Sequence, residues 1–187
     1  PDNTLYLPFM RNAVGPMDYT PGAMISTQPE CYASERPNSA SIGTRAYQMA
    51  LFVLFESGIQ MLADNPTLYM RNDDCTRLLA DIPQTWDETR LLDAKIGDYL
   101  AVAKRKGDKW YVGAIAGNSE KWRTLDLPLD FLAKDKKYKA TWVEDGINAP
   151  RQAMDYRMKT GTVSAGDTFN AKIARNGGLT LIIEPEK

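Results

Sequence analysis

Apolar and polar positions along the chain follow two different rhythms, and the change falls near residues 82 to 90. Before it, apolar residues come in blocks. "TLYLPFM" over 4–10 reads as a short strand with Pro8 near its end, and "IQMLAD" over 59–64 as a second, buried one. Between them, "TRAYQMALFVLFESG" carries Thr44 as an N-cap and then apolar residues on nearly every side. That pattern predicts a helix over 44–55 covered on both faces and broken at Ser57-Gly58. Asn65-Pro66 supplies a cap and a first-turn proline for another helix to about Ala80, with Leu68, Cys75, Leu78, Leu79 and Ile82 toward the core. Strand, long loop, helix, strand, helix is the repeating β/α order.

Beyond the change, "YLAVAKR" and "WYVGAIA" flank the turn "KGDK" as a hairpin. "WRTLDLPLDFL", "KYKATWVEDG", "YRMKTGTV", "TFNAKIA" and "GGLTLIIEP" follow, separated by Gly, Asp and Asn turns. Several such strands in about a hundred residues predict an antiparallel β-sandwich. The expected fold class is therefore α/β followed by all-β. Two β/α units are too few to close a barrel or to cover both faces of a sheet, so residues 1–83 read as the end of a larger domain with its partners upstream.

Composition narrows the partners. The chain has 187 residues, 43% of them apolar, enough for a packed core. Its 23 basic and 24 acidic residues are spread evenly, which argues against nucleic acid or an anionic membrane as the main partner. "AKRKGDK" and "AKDKKYK" are read as solvated hairpin tips. No window approaches the ~18 uninterrupted apolar residues of a membrane span, and the opening lacks the pattern of a signal peptide, so a soluble mature product or a piece of one is expected. Cys31 and Cys75 lack CxxC spacing and encode neither a zinc site nor a redox pair; one disulfide or two free thiols both remain open. Histidine is absent, which removes imidazole bases and Ser-His-Asp or Cys-His catalysis and leaves acid–base work to carboxylates, Lys or Tyr.

The loop "NAVGPMDYTPGAM" over 12–24 leaves the first predicted strand where β/α folds place their active sites, at the strand's C-terminal end. Arg11 and Asp18 could offer hydrogen bonds there and Tyr19 an aromatic wall for a sugar face; equally, Asp18 could cap a turn while Tyr19 and Met17 pack the loop down. Asp64 ends the next predicted strand on the same side, although anchoring the Asn65-Pro66 helix start is its simpler role. Glu30 and Glu35 lie five apart in a long irregular stretch and are read as surface acids rather than a glycosidase pair. Glu56 is either a support behind a pocket or a solvated helix end. Trp86, Trp110, Trp122 and Trp142 all fall in the sandwich half, where core packing is favoured over a carbohydrate platform. No P-loop, GxGxxG or GxSxG is present.

Three blocks in order, "LPFMRNAVGPMDYTPGAM", "GTRAYQMALFVLFESGIQMLADNP" and "CTRLLADIPQTWDET", resemble the end of a glycoside hydrolase family 97 enzyme. The resemblance implies an N-terminal β-sandwich, a central (β/α)8 barrel and a C-terminal β-sandwich, with residues 1–83 as the last two β/α units of the barrel and 84–187 as the C-terminal sandwich. It implies hydrolysis of terminal α-glucosides or α-galactosides, with calcium near the active site and export to the periplasm. Arg11, Asp18, Tyr19 and Asp64 become substrate-binding expectations on the pocket rim. The family's catalytic carboxylates and calcium ligands would precede Pro1, so no catalytic residue and no metal ligand is assigned here, and the chain alone is expected to be inactive. Its partners would be an α-linked oligosaccharide and the upstream barrel and N-terminal sandwich. The insert "ISTQPECYASERPNSASIG" points to the α-galactosidase branch. The rival readings are a carbohydrate-binding module working through its tryptophans, and a purely structural unit. Residues 1–83 folded as a closed unit, with Phe52 sheltered by this chain alone, would contradict the resemblance.

Overall fold

A computed structural model of the chain describes residues 2–33 and 40–186. Its centre is a six-stranded antiparallel sheet in the order β3-β4-β5-β10-β7-β8, made of β3 (Glu88–Lys95), β4 (Tyr99–Lys106), β5 (Lys109–Ala116), β7 (Lys137–Asp145), β8 (Tyr156–Ser164) and β10 (Gly178–Pro185). A two-stranded antiparallel sheet of β6 (Trp122–Pro128) and β9 (Thr168–Ala174) lies over one face, closing the expected sandwich. Alternation explains the layering. On β10, Leu179, Leu181 and Ile183 join the core beneath β6 and β9, while Ile182 faces the opposite way, with Tyr111, Ile115, Leu100 and Val102 of β5 and β4.

That opposite face is covered by α2 (Arg45–Leu54), every residue of which is buried. Thr44 caps it, its Oγ1 accepting from Tyr47 N at 3.0 Å; the first amides are satisfied from outside the helix, Thr44 N donating to Asn176 O and Arg45 N to Ala153 O. Two glycines let helix and sheet meet backbone to side chain. A methyl group at Gly113 would stand 2.9 Å from Val53 Cβ, and one at Gly178 2.7 Å from Tyr47 Cα. Each fully buried Leu or Phe in this layer contributes about 2 kcal/mol of apolar burial.

The helix predicted over 44–55 is present as Arg45–Leu54, but its cover differs from the expected one. Phe52, 4% exposed, is sheltered by this chain, and residues 1–83 are not a closed unit, because the roof of their central helix is the sandwich sheet. The two expected barrel strands are not strands. Residues 2–10 form a 3-10 turn (Asp2–Leu5) and one short helix, α1 (Leu7–Met10), and residues 59–64 are extended only as far as an isolated bridge between Gln60 and Tyr19. A strand needs a neighbour for its backbone groups, whereas a helical turn satisfies them internally and accepts Pro8 in its first turn. The helix expected from Asn65 is split at Asn72 into α3 (Pro66–Arg71) and α4 (Asp73–Ala80). The Asn72 backbone leaves the helical region, and its side chain donates to Leu68 O and accepts from Arg45. β1 (Ser26–Thr27) and β2 (Ser41–Ile42) form a two-residue parallel pair beside these helices. Cys31 and Cys75 are free thiols, the first exposed and the second buried.

Candidate functional site

The loop over 12–24 is a compact, tied-down structure. Arg11 folds back on it, Nη1 donating to Gly15 O at 3.1 Å and Nη2 to Pro16 O at 3.0 Å. Asn12 bridges to the end of α2. Its Nδ2 donates to Glu56 O at 2.9 Å while its Oδ1 accepts from Glu56 N at 3.2 Å, and Met17 N donates to the same carbonyl at 3.0 Å. Beyond Met17 the loop runs beside residues 60–64, held by Met61 N to Tyr19 O and Ala63 N to Pro21 O.

Tyr19 is half-buried and edge-on to Phe55, ring centroids 4.5 Å apart, with its hydroxyl near Thr4; burial raises its pKa above the usual phenol range. Asp64 clamps the loop from the other side. Its Oδ2 accepts from Met24 N at 2.5 Å and from Ile25 N at 3.4 Å, and its own amide donates to the Tyr69 hydroxyl, which in turn donates to Gly22 O. Asp18 is exposed and makes no hydrogen bond or ion pair among the described residues. Tyr19 and Asp64 are thus brought to one strip of the surface. Arg11 instead borders an open groove of about 830 Å³ with Tyr6, Leu7, Met10 and Val14, a groove that none of the other three lines.

Beneath the loop lies a pairing that residue types alone did not single out. Lys104, 2% exposed, points from β4 toward α2 and donates to Glu56 Oε1 at 2.5 Å and Leu54 O at 3.5 Å, with its Nζ 5.4 Å from the Trp86 ring centre. Desolvation draws its pKa below the ordinary lysine value, partly offset by Glu56. The alternation of "YLAVAKR" held the signal: Leu100, Val102 and Lys104 fall on one face, and that face is apolar. A second buried acid-base group, Asp145, accepts from Ala174 N and Gly178 N through Oδ2; burial pushes its pKa up to about 7.

Glu30 pairs with Arg175; a local backbone hydrogen bond and, after it, the Arg175 guanidinium hold its carboxyl below the usual range, and Glu35 lies outside the described residues. The tryptophan rings are engaged in packing: Trp86 with Tyr111, Trp110 with Phe131, Trp142 with Phe169, and Trp122 beneath Lys172. No group of three or more acidic or thiol side chains suited to a metal ion occurs among the described residues, so the side chains here do not fit a calcium site. Twelve large apolar side chains are exposed among the described residues, and eight precede residue 84, among them Met10, Val14, Ile59, Met61, Leu62 and Met70.

Residues 85–184, more than half of the chain, match the family model described as "Glycosyl-hydrolase 97 C-terminal, oligomerisation". The chain belongs to glycoside hydrolase family 97. Its family 97 relatives include a retaining alpha-galactosidase from Bacteroides thetaiotaomicron, 42% identical over 95% of this chain and 26% of its own length. A probable retaining alpha-galactosidase from Streptomyces bingchenggensis is 32% identical over 94% of this chain and 25% of its own. This family 97 chain thus spans about a quarter of the length of the curated relatives it matches. Among solved structures, a family 97 enzyme from Pseudoalteromonas sp. strain K8 in complex with acarbose matches all of this chain and 29% of its own, at a TM-score of 0.87 and 31% identity. The panose complex from the same source gives 0.86 and 30%, again over the whole of this chain and 29% of its own.

Proposed function

We propose that this chain is the C-terminal part of an exo-acting α-galactosidase that cleaves terminal α-linked galactose with retention. The observation that carries this reading is the 42% identity to a retaining alpha-galactosidase, sustained over 95% of the chain. In such chemistry one carboxylic acid protonates the departing glycosidic oxygen while a carboxylate attacks the anomeric carbon; water then releases the sugar from the covalent intermediate. Both groups would lie upstream of Pro1, as would the calcium ligands, and no step is assigned to the metal through this chain. Residues 1–83 would complete the barrel, with the 12–24 loop on the rim of the sugar pocket and Asp18, Tyr19, Arg11 and Asp64 shaping it. The exposed apolar side chains before residue 84 support that placement, since they suit a surface made to be covered. The sandwich would brace the barrel and, following the family description, take part in assembling copies of the enzyme. Export to the periplasm belongs to the same proposal and rests on the resemblance.

A chimera tests it. The upstream three-quarters of the Bacteroides thetaiotaomicron enzyme, joined to this chain in place of its own last quarter, should hydrolyse nitrophenyl α-galactoside in preference to the α-glucoside. The 187 residues alone should hydrolyse neither. Turnover by the chain alone that survives repurification, or a folded chimera that prefers the glucoside, would overturn the reading.

A further inference from the structure

The 12–24 loop does not rest on the barrel segments alone. Glu56 takes three backbone-level bonds from it, two through its carbonyl and one through its amide, and hands its carboxylate to Lys104 of the sandwich. Lys104 is an unusual choice for that place. It sits 2% exposed on the α2 face of β4, in register with Tyr111 of β5 and on the same side of its strand as Leu100 and Val102. Burying an ammonium is costly in desolvation, and an apolar side chain of similar volume would fill the site as well or better. What an apolar side chain would lack is a directional hold on a carboxylate. The Glu56 carboxylate needs one, because the side chain is 39% exposed just past the end of the helix and makes no other hydrogen bond or ion pair among the described residues.

We infer that Lys104 is a positioning residue: from strand β4 it fixes Glu56, and through Glu56 it holds the Asn12–Tyr19 segment in place. The sandwich thereby sets the seat of the loop, and, on the reading of that loop as pocket rim given above, one edge of the sugar site. Charge-assisted bonds are the strong ones among hydrogen bonds, and a loop seated by one moves when it is cut. Asp18, exposed and unpaired at the far end of the segment, would be displaced with it.

The test is made on the chain itself and on the chimera. In the chain, hydrogen exchange at the Met17 amide, which donates to Glu56 O, should quicken about tenfold in Lys104→Met and in Glu56→Ala, and stay near wild type in Glu56→Gln, which can still accept from Lys104. The melting temperature of Lys104→Met should be unchanged or higher, a result that a lysine serving stability would not give. Should Lys104→Met fail to fold, the double variant Lys104→Met/Glu56→Gln, which cuts the same bond and leaves neither charge unpaired, carries the measurement. In the chimera, Lys104→Met should raise KM for nitrophenyl α-galactoside about fivefold with kcat nearly constant, whereas Glu56→Gln, which still accepts from Lys104, should leave KM near that of the unaltered chimera. Met17 exchange unaltered in both Lys104→Met and Glu56→Ala overturns the inference. Faster exchange with unaltered KM upholds the hold of Lys104 on the loop and removes the loop from the pocket, which counts against the rim assignment instead.

Discussion

The sandwich strands and the first 83 residues satisfy their apolar side chains in different ways. Strands β4, β5 and β10 are buried on both faces, one beneath β6 and β9 and the other beneath α2, and each finds its cover within this chain. The segments at 2–16 and 58–62 are covered on one side only and leave Met10, Val14, Ile59 and Leu62 in solvent. Apolar side chains thus make a finished core in one region and an open face in the other. The difference lies in hydrogen-bonded neighbours: strands with partners on both sides settle into layers, and extended segments without them coil into turns or lie flat on the surface.

Four measurements press on this contrast, in descending size. Leu54→Ala, at a buried position of α2 whose side chain packs over Gly113 of β5, should cost the chain about 4 kcal/mol in urea unfolding, since the cavity is walled by helix and sheet together. A loss below about 1 kcal/mol would mean that helix and sheet are not one core. Stability should next fall by a few kcal/mol as pH rises toward neutrality. Asp145 goes from 3.8 in the unfolded chain to about 7 when folded, so its contribution is complete below 3.8 and is lost as pH rises through about 7. Asp145→Asn should flatten that slope in urea melts taken between pH 4 and 8. Gly178→Ala should cost about 2 kcal/mol, because the added methyl meets Tyr47 backbone. Smallest is Ile59→Ser on the open face, within about 0.5 kcal/mol in the chain alone; in the chimera the same change should lower the melting point, and a chimera indifferent to it would leave the open face without a purpose.

Much of the sandwich was legible in the sequence because period-two alternation and turn residues coincide there. The Gly107-Asp108 turn joins β4 to β5 with Gly107 at φ +57°, a conformation that favours glycine, and each predicted run from 99 onward contains a strand. β3 was missed for a local reason. Its Leu91-Leu92 pair breaks alternation, and the ladder to β4 shifts register between Leu91 and Asp93, so the strand carries a bulge that hides its period. The runs at 4–10 and 59–64 misled in the opposite sense, since apolar length without a neighbour does not make a strand. Of the site, the bonds that hold the loop backbone were not legible: the Arg11 guanidinium is spent on Gly15 and Pro16, and the Asp64 carboxylate on the Met24 and Ile25 amides, all partners set by the course of an irregular loop that has no period to read. Lys104 escaped notice because a lysine near a hairpin suggests solvent, and only the parity of its position along the strand says otherwise.

The helix that roofs the sheet begins forty residues ahead of the segment the family model recognises. A gene fragment opening at residue 85 would bare Val102, Tyr111, Ile115 and Ile182 to water, a greasy plate prone to clumping. A soluble version of the sandwich cut from this chain would have to keep the preceding helix, and so begin well ahead of the segment that the family model marks.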